Sequence, residues 1–136
     1  MNKDLMIKSE DIPEYIMNKY NIMSYPMEMT LTLFMGIDDE VLSEDLMFFS
    51  AHYMSPSKVG EFRKDILRKA LDNFDCESII TVHFSAVYAT QTIDTKSLNR
   101  LNVFNKELNE ISEKINLPVS NSLVMTPNGF QSLKDF

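Results

Sequence analysis

Two histidines, one cysteine and a dense run of carboxylates are where this 136-residue chain could do chemistry. His52 and His83 could serve as base and acid, because an imidazole titrates near neutral pH. Cys76 could attack as a thiolate only if its pKa were depressed, and its neighbours Asp75 and Glu77 act the other way. Asp38, Asp39, Glu40, Glu44 and Asp45 place five carboxylates within eight residues. Oxygen ligands suit a hard cation, but the alternating carboxylates and mid-loop glycine of a calcium loop are missing. The run is therefore expected to be a solvated turn, or a surface that docks a basic partner, rather than a metal site.

His83-Phe84-Ser85 resembles the His-x-Ser motif of two-histidine phosphoesterases, which carry it twice on paired strands. That chemistry needs both copies, one imidazole taking a proton while the other gives one to the leaving oxygen. His52-Tyr53-Met54 lacks the hydroxyl two places on, so the resemblance covers three residues and stops there. A small hydrolase using His83 and His52 stays as the alternative reading. A metal held by both histidines would need Asp75, Cys76 or Glu77 as well, and no His-x₃-His or Cys-x₂-Cys spacing supports it. Three glycines provide no phosphate-cradling loop, and a Gly-x-Ser-x-Gly elbow is absent. No cofactor and no metal are expected.

The elements that must position these groups read as α+β. Ser9 with Glu10, Asp11 and Glu14 predicts a first helix over 9–20, with Ile12, Tyr15, Ile16 and Lys19 on one face. After Pro26 the period falls to two: Met27, Met29, Leu31, Leu33 and Met35 alternate with Glu28, Thr30, Thr32 and Phe34, a half-buried strand. A second strand is expected over 46–54, against a competing helix capped at Ser43. Ser55-Pro56 opens a helix lined by Val59, Phe62, Ile66, Ala70 and Phe74, widened by Leu67 and Leu71. Residues 78–93 read as one long strand, apolar on both faces near its middle and so central in its sheet. Asp94 or Thr95 caps a last long helix striped by Leu98, Leu101, Phe104, Leu108, Ile111 and Ile115. Two short strands, 122–125 and 130–133, flank the turn Thr126-Pro127-Asn128-Gly129. The pattern predicts one domain over 1–136. Its mixed sheet has four to five strands, with two long helices on one face and an N-terminal helix besides. The first strand pair should be antiparallel, and both strand–helix–strand crossings should join parallel neighbours.

Composition narrows the function classes. Hydrophobic residues at 44% are enough for a packed core, which disfavours disorder. No apolar run reaches the ~18 residues of a membrane span, and the first residues lack a secretory pattern, so a cytoplasmic protein with one reduced thiol is expected. Residues 1–50 carry a net −7, equal to the whole chain. Such a surface repels phosphate backbones and anionic membranes, which excludes both as expected partners. Eleven Asn and eleven Ile against four Ala suggest an A/T-rich bacterial or viral coding sequence. Methionines gather around the first two strands, at Met23, Met27, Met29, Met35, Met47 and Met54, and either fill the core or form an adaptable contact surface. The expectation is a small acidic, non-catalytic protein that binds another protein with a basic surface, as an adaptor, inhibitor or chaperone, including a phage or viral protein acting on a host factor. Its contact is expected at Phe34, Asp38, Asp39, Glu40, Glu44, Asp45 and Tyr53. A homodimer or other assembly protein is the third class.

Overall fold

The computed structural model describes residues 9–49 and 55–136. The described residues begin with a 3-10 turn, Ser9–Asp11, that runs into helix α1, Ile12–Lys19. Pro13 sits in its first turn, where a missing N–H costs nothing. Strands β1 (Met29–Met35) and β2 (Val41–Phe48) form an antiparallel hairpin. Helix α2 (Pro56–Leu71) leads to β3 (Ser78–Phe84), and α3 (Ala86–Thr90) and α4 (Thr95–Lys114) lead to β4 (Val119–Thr126) and β5 (Gly129–Ser132). The five strands make one mixed sheet in the order β2-β1-β3-β4-β5, so the α+β reading holds.

Both long helices start where a side chain can satisfy an orphan backbone donor. The Lys58 N–H donates to Ser55 Oγ at 3.3 Å and the Ser97 N–H to Asp94 Oδ1 at 2.7 Å. Each such cap contributes about 1 kcal/mol. The β4–β5 turn needs its glycine, since Gly129 has φ of 109°.

The differences from expectation have local causes. The run 41–48 is the second strand, so Glu44 and Asp45 lie within it and not in the preceding turn. The helix that competed for Ser43 does not form, because tertiary pairing with β1 overrides a cap-like triplet. Residues 50–54, including His52, Tyr53 and Met54, lie outside the described residues. β3 ends at Phe84 rather than 93, because Ser85 leaves the ladder and its Oγ accepts the Tyr88 N–H at 3.0 Å, capping α3. α2 stops at Leu71, which puts Phe74 beyond the helix and off its apolar stripe. The first crossing does not join neighbours. β2 and β3 are both antiparallel to β1 and lie on either side of it, while β3 and β4 are adjacent and parallel as expected.

β1 was expected to be half-buried, yet residues 30–35 are buried on both faces. Its odd positions, with Ile80, Val82 and Phe84 of β3, form an aliphatic face under α1 and the tyrosines of the first 25 residues. Phe84 meets the rings of Tyr20 and Tyr25 at 6.0 and 5.5 Å. Its even positions, Thr30, Thr32 and Phe34, share the other face with Ile79, Thr81 and His83, under α2 and α4. That face carries the polar residues, although two long helices cover it.

Candidate functional site

His83 sits at the centre of the helix-covered face, 1% exposed. Phe49 and Phe104 stand beside it, with ring centroids 6.1 and 6.2 Å away. Thr30 Oγ1 lies 2.8 Å from Nδ1 and Asn105 Nδ2 lies 2.9 Å from Nε2. The tautomer follows from Asn105. Its amide nitrogen also donates to the Leu101 carbonyl at 2.8 Å, and a carbonyl can only accept, so the NH₂ is fixed in place. Nε2 must then accept from that NH₂, and the ring proton must sit on Nδ1, which donates to Thr30. Asn105 Oδ1 completes the network, accepting from Thr81 Oγ1 at 2.6 Å and Ser122 Oγ at 3.0 Å. Those two hydroxyls are 2.8 Å apart.

Burial lowers the His83 pKa to about 4. A carbonyl facing the ring would oppose that fall, but the Leu101 contact turns the amide's NH₂ toward Nε2. His83 is therefore a neutral core residue with both nitrogens engaged. Ser85, its partner in the His-x-Ser reading, caps α3 and joins no pair with it. Cys76 is also buried, and burial, more than the nearby Glu77 charge, raises its pKa. That is an unreactive thiol.

The five carboxylates expected to form one surface separate into three environments. Asp38 and Asp39 are exposed in the β1–β2 turn, both with positive φ (61° and 58°), and Glu40 follows half-buried. Asp45 points to the α2 side, where Lys69 Nζ donates to it at 2.6 Å. Glu44 points to the opposite face, where it accepts from Tyr15, from Tyr20 and from Lys19 Nζ at 2.5 Å. Burial pushes the Glu44 pKa up, but the hydrogen bonds from Lys19, Tyr15 and Tyr20 together outweigh it and leave the group lowered. Glu44→Ala should consequently cost about 2 kcal/mol of unfolding free energy in a urea titration, since it strands two tyrosine hydroxyls and a lysine. A variant as stable as the parent would place Glu44 back among the surface acids. Phe34, expected as a contact, is 2% exposed and packs in the core, so its ring is not open to a partner.

Sequence reasoning missed the features that gather at one end of the sheet. The 36–40 turn follows β1, the 72–77 loop precedes β3, and the two are joined where the Glu77 N–H donates to the Met35 carbonyl at 2.7 Å. Ile37 is 65% exposed, Leu71 59%, and Phe74 is fully exposed. Asp38, Asp39, Glu40, Asp72, Asp75 and Glu77 come from the same two segments. The sequence signal for Phe74 was present in Asn73, whose Oδ1 accepts the Asp75 N–H and turns the chain. Among the methionines, Met35 is buried, while Met17 and Met23 are exposed and line a cleft of about 580 Å³ with Met125.

Among the described residues, no group of three His, Cys, Asp or Glu is placed to hold a metal ion, and no helix is long and apolar enough to cross a membrane. No protein-family model matches the chain, and no curated protein matches it in sequence.

Proposed function

We propose that the protein is a non-catalytic binding module whose acidic, apolar-studded sheet end receives a basic, amphipathic segment of another protein. The observation that supports this is the trio Ile37, Leu71 and Phe74, exposed among six carboxylates. Covering a phenylalanine and two aliphatic side chains stabilises a complex by several kcal/mol, at about 25 cal/mol per Å². The carboxylates steer the encounter and select its sign. They also oppose self-association through this end, because pairing two copies would bring like charges together. Arg or Lys on the partner would answer the carboxylates and could lie over the Phe74 ring.

The sequence-based expectation placed the contact at 34–54. The structure-based proposal keeps Asp38, Asp39 and Glu40, moves Phe34, Glu44 and Asp45 into structural roles, and adds the 71–77 segment. The test is a paired capture from source-cell lysate, with the parent protein and Phe74→Ser as baits, followed by affinity measurement on the recovered protein. Phe74→Ser should weaken binding at least about tenfold. Replacing Asp38, Asp39 and Glu40 by Ser should flatten the salt dependence. Equal capture by both baits would sink the proposal.

A further inference from the structure

The β4–β5 edge of the sheet has the reverse chemistry. Between α4 and the β4–β5 hairpin runs a groove of about 290 Å³, at the lower end of ligand-sized pockets (~300 Å³). Four asparagines, three serines and two lysines line it, with no carboxylate and no aromatic ring. The Glu113 carboxylate stands just outside it, bonded to Asn109 at 3.0 Å.

The hydrogen bonds already in place leave few polar groups for a ligand. Asn105 is saturated by its four contacts with His83, Leu101, Thr81 and Ser122. Asn109 is used at both ends, accepting from the Val119 N–H at 3.0 Å and donating to Glu113 at 3.0 Å. Asn121 differs. Its Oδ1 accepts from the Ser122 N–H and from Ser132 Oγ, each at 2.9 Å, and a backbone N–H can only donate, so the amide orientation is fixed. The Asn121 NH₂ is left with two protons to give. Lys106 on α4 and Lys134 beyond β5 make no ion pair among the described residues. The groove thus offers two ammonium groups and an oriented amide donor, with Ser132 and Asn102 beside them.

We propose that this groove binds a small phosphorylated polyol, such as a sugar monophosphate. Lys106 and Lys134 neutralise the phosphate as point charges, and Asn121 with its serine and asparagine neighbours hydrogen-bonds the hydroxyls. The absence of an aromatic ring leaves no platform for a nucleobase, which sets a nucleotide apart from a simple sugar phosphate. The groove shares no residue with the acidic end, so either proposal can fail without the other.

The probe is glucose 6-phosphate, titrated into ¹⁵N-labelled protein and read at the side-chain amide resonances of Asn102 and Asn121. Saturable shifts confined to the groove are expected, with affinity at least about tenfold above that for glucose or inorganic phosphate alone. Lys106 and Lys134 are exposed, so their joint change to Gln should leave the fold intact and reduce the affinity at least about tenfold. Asn121→Asp keeps the accepting oxygen but turns the donor into a negative charge, and should abolish binding. Three outcomes would overturn the proposal: no saturable shift at millimolar probe, equal affinity for inorganic phosphate, or binding unchanged in the double lysine variant.

Discussion

Asn105→Leu is expected to remove about 4 kcal/mol of unfolding free energy, a large share of the roughly 5–15 kcal/mol that holds a domain of this size. The size follows from position rather than from burial alone. Asn105 bonds to His83, Thr81 and Ser122 together, and it also secures the Leu101 carbonyl of its own helix. A leucine leaves His83 Nε2 as a buried acceptor with nothing to accept. Thr81 and Ser122 can bond to each other at 2.8 Å, but that contact uses one of their two protons. Each stranded group costs about 1–3 kcal/mol, against a smaller gain from burying the leucine. Urea titration should show the midpoint falling with an unchanged slope, the sign of lost stability without a looser native state. A loss below about 1 kcal/mol would mean that relaxation or water satisfies the ring nitrogen. Removing the two stranded hydroxyls as well tests the same idea from the other side. Thr81→Val and Ser122→Ala added to Asn105→Leu should recover part of the loss, because an apolar pair is less costly than a half-satisfied polar one.

The aliphatic side of this fold could be read from sequence, and the polar side could not. Period-two runs located β1 and β3, and period 3.6 located α2 and α4, because burial of one face against a neighbour imposes those repeats. The same logic put Thr30 and Thr32 on the open face of a half-buried β1, since polar residues at alternate positions usually face water. Strand β3, with Thr81 and His83, was read as central in the sheet but without partners for its polar groups. Here they face α2 and α4, and their hydrogen bonds close on Asn105, a residue off the predicted apolar stripe of α4. Pairing at long range made that possible. Thr30 and His83 are 53 residues apart, and Thr81 and Ser122 are 41 apart. The acidic run failed for a related reason. Consecutive strand residues point to opposite faces, so Glu44 and Asp45 could not share a surface once 41–48 became a strand. Asp38 and Asp39 stayed exposed because they make the turn itself. The turn that Asn73 makes after the helix, and with it the exposure of Phe74, was visible locally but was outweighed by a stripe that continued one turn too far.

Among the described residues, acid should weaken the protein through His83 before the carboxylates respond. His83 has a folded pKa of about 4 and an unfolded value near 6.5. Between those values the unfolded chain binds the proton and the folded protein refuses it, so stability rises with pH across this window and is lost as pH falls through it. The full difference is about 3 kcal/mol, reached once pH drops below the folded pKa. Glu44 works in the same direction but lower, since its pKa is depressed in the fold and its contribution is lost only below the ordinary carboxylate range. Urea titrations at pH 7, 6, 5 and 4.5 should therefore show a steady decline, mostly complete before the carboxylates titrate. His83→Gln starts less stable at pH 7, having disturbed the Thr30 and Asn105 bonds, yet its stability should stay nearly flat over the same range. His52→Gln supplies the control for the second histidine, and a loss of slope there would move the assignment away from His83. If the slope survives in His83→Gln, the buried ring is not the proton acceptor that matters. If it vanishes, the refusal of that proton is the reason a histidine can sit in this core: the Leu101 carbonyl holds the Asn105 amide, and the amide holds the ring neutral.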